Sequence, residues 1–258
     1  MTRPITTRIA VVTGGTSGIG LATARNLLER GCRVAVFGQK RINVESAAEA
    51  LSRDFDSERV VARAVDLAAS AQIGAFFQEL EDLWGKPEIL VCNAGMSPKG
   101  PDGPTPFQEI TLDEWNAVLS VNLTGTMLCC QAVLPGMVER RFGRIVLVGS
   151  IAGRAMPRIA GTAYAASKAA LAGFTRSLVS RFAAEGITVN VVAPGRIATE
   201  MAGPRDSAAN RAAVARIPAG RMGEPEEIAA AIGFLTSDEA AFINGAIVDV
   251  NGGEYAPL

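Results

Sequence analysis

The chain has 258 residues, of which 48% are hydrophobic and 20% are charged, a composition that excludes a disordered protein and supplies enough apolar surface for a full core. Its 25 basic and 26 acidic residues leave a formal net charge of −1, so no excess charge would draw it to nucleic acid or to an anionic membrane. Histidine is absent, which excludes Ser-His and Cys-His nucleophile pairs and histidine-based zinc sites.

Neither a metal site nor a disulfide framework is predicted, because the four cysteines show no CxxC spacing and lie in apolar stretches. We expect them to be buried thiols. The N-terminal sequence MTRPITTR lacks the apolar region of a secretory signal, and no uninterrupted apolar run is long enough to span a membrane. These features predict a cytoplasmic protein with no membrane partner.

Seven short apolar runs recur along the chain, and most are continuous, as in strands covered on both faces of a parallel sheet. They lie at 9–12, 34–37, 60–65, 89–92, 145–148, 187–192 and 247–250. Segments long enough for crossover helices separate the runs. The length alone allows one large or two small domains, but this alternation predicts an α/β fold with a doubly wound parallel sheet in a single domain over residues 1–258.

Helix signals fall between the predicted strands. The first helix ends before Gly31, a residue suited to a helix C-terminus. Thr111 and Glu114 form a capping-box pattern that opens a later helix, and another helix begins near Pro225.

Two connections are longer than the rest. Residues 95–106, rich in glycine and proline, are predicted to form a surface loop. The excursion over residues 196–222, with a short helix predicted between 207 and 216, follows a strand end, where open α/β sheets bind ligands. We therefore expect the excursion to form a lid over the substrate, although an ordinary connection is the alternative.

A glycine-rich loop, TGGTSGIG at 13–20, joins the first strand to the first helix. Glycines at 14, 18 and 20 permit positive φ and let a pyrophosphate approach backbone N–H groups, while the helix N-terminus favours its charge. The strand-turn-helix context favours a dinucleotide site over a simple tight turn.

Tyr164 and Lys168 are separated by one helical turn within a predicted helix, so they share one face. A free phenol titrates near pH 10, and a neighbouring ammonium lowers that pKa. We therefore expect Lys168 to make Tyr164 usable in proton transfer. Taken alone, the YxxxK spacing is also compatible with a surface lysine beside an unrelated tyrosine.

From about Arg8 to Gly253, the order and spacing of several motifs resemble those of the short-chain dehydrogenase/reductase family. The matching pieces are TGGTSGIG at 13–20, Asp66 in VDL, NAG at 93–95, Asn122 in VNLTGT, Ser150 in VGSIAG, YAASK at 164–168, PGRIAT at 194–199 and NGG at 251–253. The resemblance implies a Rossmann fold of about seven strands flanked by helices and an NAD(P)-dependent oxidoreductase activity.

The same resemblance implies a role for each motif residue. Tyr164 would be the general acid in carbonyl reduction and the general base in alcohol oxidation, and Ser150 would hydrogen-bond the substrate oxygen. Lys168 would hold the nicotinamide ribose, and Asn122 would anchor a water relay to solvent. The implied cofactor-binding residues are Gly14, Thr16, Ser17, Gly18, Ile19, Gly20, Gly38, Gln39, Lys40, Asp66, Leu67, Asn93, Ala94, Gly95, Tyr164, Lys168, Pro194, Gly195, Ile197 and Thr199.

Structural alternatives remain for some of these residues. Asn122 could cap or kink a helix, Ser150 could end a strand, and Asp66 could be a turn acid. The chain also departs from the family pattern in two places. Cys92 replaces the asparagine that often precedes NAG, and Ser150 and Tyr164 are one position farther apart than is commonest.

The end of the second strand bears on the choice of nicotinamide. A carboxylate at this position binds the ribose diol of NAD and repels a 2′-phosphate, but this chain has Gly38, followed by Gln39, Lys40 and Arg41. The two cations suit a 2′-phosphate, and Gln39 can donate a hydrogen bond to it. We therefore predict that NADP(H) is preferred and NAD(H) possible, with a solvated charged face as the alternative for Lys40 and Arg41.

Residues that follow strand ends or flank the catalytic positions are candidates for a largely apolar substrate pocket. They are Met96, Ala152, Met156, Pro157, Arg196 and Met201. Such a lining suits a ketone or a 3-oxoacyl group, and the resemblance is closest to 3-oxoacyl-carrier-protein reductases. We therefore predict NADPH-dependent carbonyl reduction. The alternatives are an NAD-dependent sugar, polyol or steroid dehydrogenase and a catalytically silent dinucleotide-binding sensor.

The expected partners are a small carbonyl or alcohol substrate and other copies of the chain. The family resemblance implies a homotetramer, formed partly through helices over 111–138 and 162–184. Four arginines could instead dock an acidic carrier protein or form a solvated helix face; these are Arg140, Arg141, Arg176 and Arg181.

Overall fold

A computed structural model describes residues 8–100 and 103–257 of the chain. Residues 1–7 lie outside the described residues. They make up most of the N-terminal sequence MTRPITTR, for which no secretory signal is predicted. Residues 101–102 of the predicted surface loop and residue 258 also lie outside the described residues.

The described chain forms a seven-stranded sheet of order β3-β2-β1-β4-β5-β6-β7, in which every neighbouring pair is parallel. The strands are β1 (Ile9–Thr13), β2 (Arg33–Gly38), β3 (Val60–Ala64), β4 (Ile89–Cys92), β5 (Gly143–Val148), β6 (Ile187–Pro194) and β7 (Ile247–Val250). The predicted doubly wound parallel sheet is confirmed, and each predicted apolar run coincides with a strand. The order reverses between β1 and β4, and such a switch point creates a ligand crevice at the carboxyl ends of the strands.

Helices cover both faces of the sheet, which is why the central strands β1, β4 and β5 are buried throughout and mainly apolar. They are α1 (Gly18–Glu29), α2 (Arg41–Asp54), α3 (Ser70–Trp84), α4 (Leu112–Leu119), α5 (Gly125–Glu139), α6 (Thr162–Phe182), α7 (Ala208–Val214) and α8 (Pro225–Leu235). One core cluster includes Phe76, Met137 and Leu171 on α3, α5 and α6. The other includes Leu27 and Ile232 on α1 and α8.

The sequence signals for helix ends correspond to the observed caps. Thr111 Oγ1 accepts from the backbone N–H of Glu114 at the start of α4. Gly31 has a φ of +90° just after α1, and α8 begins at Pro225. The short helix expected in the 196–222 excursion is α7.

A π-helical turn, Ser120–Thr124, joins α4 to α5. The helical stretch Leu112–Glu139 is long and apolar enough to cross a membrane by length and composition, and 44% of its most apolar window is buried inside the protein. The prediction concerned uninterrupted apolar runs, whereas polar residues such as Asn116, Ser120 and Asn122 divide the apolar residues of this stretch.

Candidate active site

An open cleft of about 1090 Å³ lies at the carboxyl ends of the strands. Every predicted cofactor-binding residue except Gly20 lines it, together with Ser150. All six predicted substrate-pocket residues line the same cleft. The topology brings these residues together because β1, β2, β4, β5 and β6 all end at this edge.

The glycine-rich loop forms one wall of the cleft. Gly14 and Gly18 have φ values of +62° and +49°, in the left-handed region that favours glycine. α1 begins at Gly18, and the preceding Ser17 makes no side-chain cap hydrogen bond, so N–H groups of the first turn remain available to an anion. A Cβ on Gly18 would lie 3.0 Å from Thr199 Cγ2. The segment after β6 therefore closes directly on a loop whose backbone fits a pyrophosphate.

Gly20 does not line the cleft, and its contact with the cofactor stays a prediction. A Cβ at this position would lie 2.1 Å from the Gly14 oxygen and 2.5 Å from Asn93 Nδ2. Gly20 is therefore needed for close packing of α1 against the turn. Asn93 Nδ2 donates to the backbone oxygens of Thr13 and Gly14, both at 3.1 Å, and so fixes the loop from below.

The end of β2 has no room for a carboxylate. A Cβ on Gly38 would lie 2.7 Å from Thr16 Oγ1, so Thr16 fills the space that a larger side chain would need. Lys40 precedes the first residue of α2 and lines the cleft. This corner therefore presents a cation and a helix N-terminus.

Two neighbouring residues depart from the predicted phosphate contacts. Arg41 does not line the cleft; its Nε donates to Glu45 Oε1 at 2.9 Å along α2, which corresponds to the solvated alternative. Gln39 lines the cleft, but its Nε2 donates to Asp66 Oδ2 at 3.1 Å. Asp66 Oδ1 also accepts from the backbone N–H of Ala68 at 2.9 Å, so Asp66 is a turn acid as well as a lining residue.

Ser150, Tyr164 and Lys168 meet in the middle of the cleft. The Ser150 side chain lies close enough to the Tyr164 hydroxyl to influence its pKa, and Ser150 Oγ accepts from the backbone N–H of Ala152 at 3.1 Å. Tyr164 lies in the first turn of α6, and Lys168 follows one turn later. Lys168 Nζ lies 5.7 Å from the centre of the Tyr164 ring and donates to the Val148 oxygen at 2.7 Å.

Burial dominates the proton affinities of this pair. It raises the pKa of Tyr164, and the contact with Ser150 opposes that shift. Burial also lowers the pKa of Lys168 to about 8. Burial and the contact with Ser150 are the opposing causes of the net upward shift at Tyr164, so the expectation that Lys168 lowers the pKa of Tyr164 stays a prediction.

Asn122 is buried behind the cleft rather than lining it. Its Oδ1 accepts from the Met96 N–H at 2.8 Å, and its Nδ2 donates to the Met96 oxygen and to Ser167 Oγ at 3.1 and 3.0 Å. A Cβ on Gly95 would lie 3.3 Å from Lys168 Nζ and 3.4 Å from Asn122 Oδ1. Asn122 therefore reaches the neighbourhood of Lys168 and fixes the loop after β4. Its position in the π-helical turn also agrees with the helix-kink alternative.

Five charged residues that were not predicted also line the cleft: Lys99, Arg158, Glu200, Arg216 and Glu254. Lys99 lies in the glycine- and proline-rich loop after β4, and Glu200 and Arg216 lie in the 196–222 excursion, so a sequence signal was available for these two segments. Arg158 and Glu254 lie in segments whose path over the sheet is set by tertiary packing.

Two of the arginines considered for carrier docking bind their own chain. Arg140 donates to the backbone oxygens of Pro87 and Lys86, both at 3.0 Å. Arg141 pairs with Glu185 at 3.0 Å. Arg176 and Arg181 are exposed on α6.

The four cysteines are free and buried, as expected. Over residues 8–100 and 103–257, no group of three or more His, Cys, Asp or Glu side chains is arranged to hold a metal ion.

Comparison with known proteins gives a consistent result. A family model described as enoyl-(acyl carrier protein) reductase matches residues 14–254. The chain is 40% identical over 248 residues to a 3-oxoacyl-[acyl-carrier-protein] reductase of Vibrio harveyi, covering 96% of this chain and 97% of that protein. It is also 40% identical over 250 residues to a cis-4-hydroxycyclohexanecarboxylate dehydrogenase of Sinomonas cyclohexanicum, with the same coverage.

The fold has equally clear relatives among solved structures. A blue fluorescent protein from a metagenomic library, solved in complex with NADPH, superposes with a TM-score of 0.87 at 33% identity, covering 96% of this chain and 98% of that one. With the parallel sheet, the glycine-rich loop and the Ser150, Tyr164 and Lys168 cluster, these matches show that the chain belongs to the short-chain dehydrogenase/reductase family of NAD(P)-dependent oxidoreductases.

Proposed function

We propose that the protein uses NADPH to reduce a ketone or 3-oxoacyl group to the alcohol, with Tyr164 as proton donor. The observation that carries this proposal is the cluster of Ser150, Tyr164 and Lys168 in the same cleft that the glycine-rich loop lines. A dinucleotide cradle and a protonated donor thus share one site.

The described residues fit a bound dinucleotide. The loop at Gly14 and Gly18 and the N-terminus of α1 suit its pyrophosphate, and the wall that includes Asp66, Asn93 and Ile197 suits the rest of the molecule. When bound, the dihydronicotinamide supplies the hydride to the substrate carbon.

The preference for NADP(H) is supported by the end of β2. Thr16 occupies the space beside Gly38, so no carboxylate stands where it would repel a 2′-phosphate, and Lys40 supplies a positive charge there. Arg41 has no part in this proposal because it pairs with Glu45. A related protein that superposes with a TM-score of 0.87 was solved in complex with NADPH.

Proton transfer in the reducing direction needs a neutral phenol. Since burial raises the pKa of Tyr164, the hydroxyl is protonated at neutral pH and can give its proton to the developing alkoxide. Ser150 hydrogen-bonds the same oxygen and stabilises its charge. Lys168 holds the ribose beside Tyr164, and Asn122 helps to anchor a water relay that connects Lys168 to solvent.

Further parts of the proposal concern the whole protein. Residues 1–258 form one domain, and the excursion over residues 196–222 acts as a lid over the substrate. The protein is a cytoplasmic homotetramer that associates through α4, α5 and α6. The exposed apolar residues Phe107 and Leu112 near the start of α4 support this interface, and sedimentation velocity tests the stoichiometry.

A substrate panel tests the activity. The purified protein is assayed with NADPH and with NADH against neutral ketones, oxo-carboxylates, 3-oxoacyl thioesters and ketoses, following cofactor oxidation. We expect turnover of at least one ketone or 3-oxoacyl compound and a higher kcat/KM for NADPH than for NADH. Turnover confined to ketoses with NADH would favour the sugar dehydrogenase alternative, and no turnover with any carbonyl would favour the dinucleotide-binding sensor.

A further inference from the structure

The cleft carries positive charge that hydride and proton transfer do not require. Apart from Lys40, Asp66 and Lys168, its charged lining residues are Lys99, Arg158, Arg196 and Arg216, against Glu200 and Glu254. These residues add four cations and two carboxylates to a lining that also includes methionine, alanine and proline side chains. This excess of positive charge would contribute nothing to the binding of an apolar ketone.

Hydrogen bonds within the chain hold the Arg196 side chain in place. Arg196 lies two residues after Pro194, the last residue of β6, and its Nε donates to Asn210 Oδ1 at 2.6 Å. Its Nη2 donates to the Ala202 oxygen at 2.8 Å. Asn210 is fully buried, and its own Nδ2 donates to the Ala202 oxygen at 3.1 Å and to the Pro204 oxygen at 2.7 Å. Within the described part of the chain, no hydrogen bond involves Arg196 Nη1.

The surroundings of Arg196 leave it short of negative charge. Burial lowers the pKa of Arg196, an effect that the Glu254 carboxylate opposes. Glu254 also lies 3.8 Å from Arg216 Nε, so its charge is shared. Burial lowers the pKa of Lys99 as well, and the nearby Arg196 charge adds to that shift. A partly desolvated pair of like charges is stabilised by an anion placed between them.

We propose that Arg196, assisted by Lys99, binds a carboxylate of the substrate, so that the preferred substrates are oxo-acids whose free carboxylate lies apart from the reacting carbonyl. The inference rests on the proposed carbonyl reduction and narrows its substrate class. A guanidinium held at Nε and Nη2 is preorganised for such a group. Met96, Met156 and Met201 line the same cleft and suit an apolar spacer. Asn210 acts as a positioning residue for Arg196.

The test compares acids with their esters. The NADPH-loaded enzyme is assayed with 4-oxocyclohexanecarboxylate, 5-oxohexanoate and the methyl ester of each. We expect kcat/KM to be on the order of tenfold higher for each acid than for its ester. Arg196→Met lowers kcat/KM for the acids by on the order of 10- to 100-fold, mainly through KM, and leaves the esters within about twofold. Arg196→Lys restores part of the preference.

A matched control separates a specific contact from a general loss of charge. Arg205 lies on the same excursion but pairs with Glu224 at 2.7 Å and does not line the cleft. Arg205→Met is therefore expected to leave the acid-to-ester ratio unchanged. Equal losses for acid and ester in Arg196→Met would mean that Arg196 only supports the excursion, and they would overturn the inference.

A binding measurement makes the inference independent of turnover. Cyclohexanecarboxylate, which has no ketone, is titrated calorimetrically into the NADPH-loaded protein. We expect binding to persist in Tyr164→Phe and to be lost in Arg196→Met. If no ketone is reduced but this pattern holds, the proposed function fails and the carboxylate site stands. If ketones or 3-oxoacyl thioesters are reduced without any preference for acids and Arg196→Met binds the carboxylate normally, the carboxylate site fails and the reductase stands.

Discussion

Lys168 Nζ donates a hydrogen bond of 2.7 Å to the carbonyl oxygen of Val148, the last residue of β5. The bond holds the ammonium deep in the cleft, 5.7 Å from the centre of the Tyr164 ring. Burial lowers the pKa of Lys168 to about 8. The charge of Lys168 is therefore lost at a pH where an exposed lysine would keep it.

This titration predicts a pH-dependent affinity for NADPH. Because the charged form of Lys168 is proposed to hold the ribose, we expect the Kd for NADPH to rise as the pH passes above about 8. Fluorescence titration of NADPH across this range measures the effect, and Lys168→Met should weaken binding and remove the pH dependence. A Kd for the unmodified protein that stays constant well above pH 8 would contradict the assignment.

The same group predicts a change in stability with pH. The unfolded Lys168 titrates near 10.5 and the folded one near 8, so between these values the unfolded state binds more protons. The Lys168 contribution to the free energy of unfolding therefore rises with pH through this window. Denaturant unfolding of the cofactor-free protein between pH 8 and 10.5 measures this contribution. The slope of the free energy of unfolding against pH should be less positive in Lys168→Met than in the unmodified protein.

Lys40 and Arg41 provide a paired test of the cofactor preference. Lys40 lines the cleft, whereas Arg41 pairs with Glu45 along α2. Lys40→Ala is expected to raise KM for NADPH by about tenfold, since a charge-assisted hydrogen bond is lost, while KM for NADH changes little. Arg41→Ala should leave both values near those of the unmodified protein. Equal effects of the two substitutions on NADPH would mean that neither cation contacts the 2′-phosphate specifically.

Two glycines provide a stability test of the dinucleotide loop. A Cβ on Gly20 would meet the Gly14 oxygen at 2.1 Å, whereas nothing lies within 4 Å of a Cβ on Gly74, inside α3. Gly20→Ala should lower the free energy of unfolding by about 2 kcal/mol or more through overpacking. Gly74→Ala should raise it by roughly 0.5 to 1 kcal/mol through helix propensity. Thermal unfolding of both variants measures the difference; a stable Gly20→Ala variant would contradict the packing argument.

Much of the fold could be predicted because periodicity and caps are local signals. Apolar runs located all seven strands, and most of the runs are continuous because a strand buried on both faces needs no polar alternation. The TGGTSGIG loop and the Tyr164 and Lys168 spacing located the cleft, because strand ends in a parallel sheet meet at one edge. The capping pattern at Thr111 also predicted the start of α4 to the residue.

The remainder depended on contacts between distant segments. The packing of Gly20 under Gly14 and the hydrogen bond between Gln39 and Asp66 could not be predicted. Both depend on how the loop and the two strand ends approach one another. The direction in which the Tyr164 pKa shifts depends on the burial of the phenol. The spacing of residues along a helix does not give that burial. Arg196 was expected in the pocket as one of several lining residues, but its bonds to Asn210 and Ala202 arise only when the excursion folds over β6.

In the proposed reaction, Tyr164 delivers the proton to the substrate oxygen. The most direct measurement is the single-turnover rate of carbonyl reduction by NADPH-loaded Tyr164→Phe, alongside its Kd for NADPH. Removing only the hydroxyl should leave the Kd within about twofold and lower the rate by at least about 100-fold, as for a positioned general acid. A rate close to that of the unmodified protein would show that Tyr164 is not the proton donor.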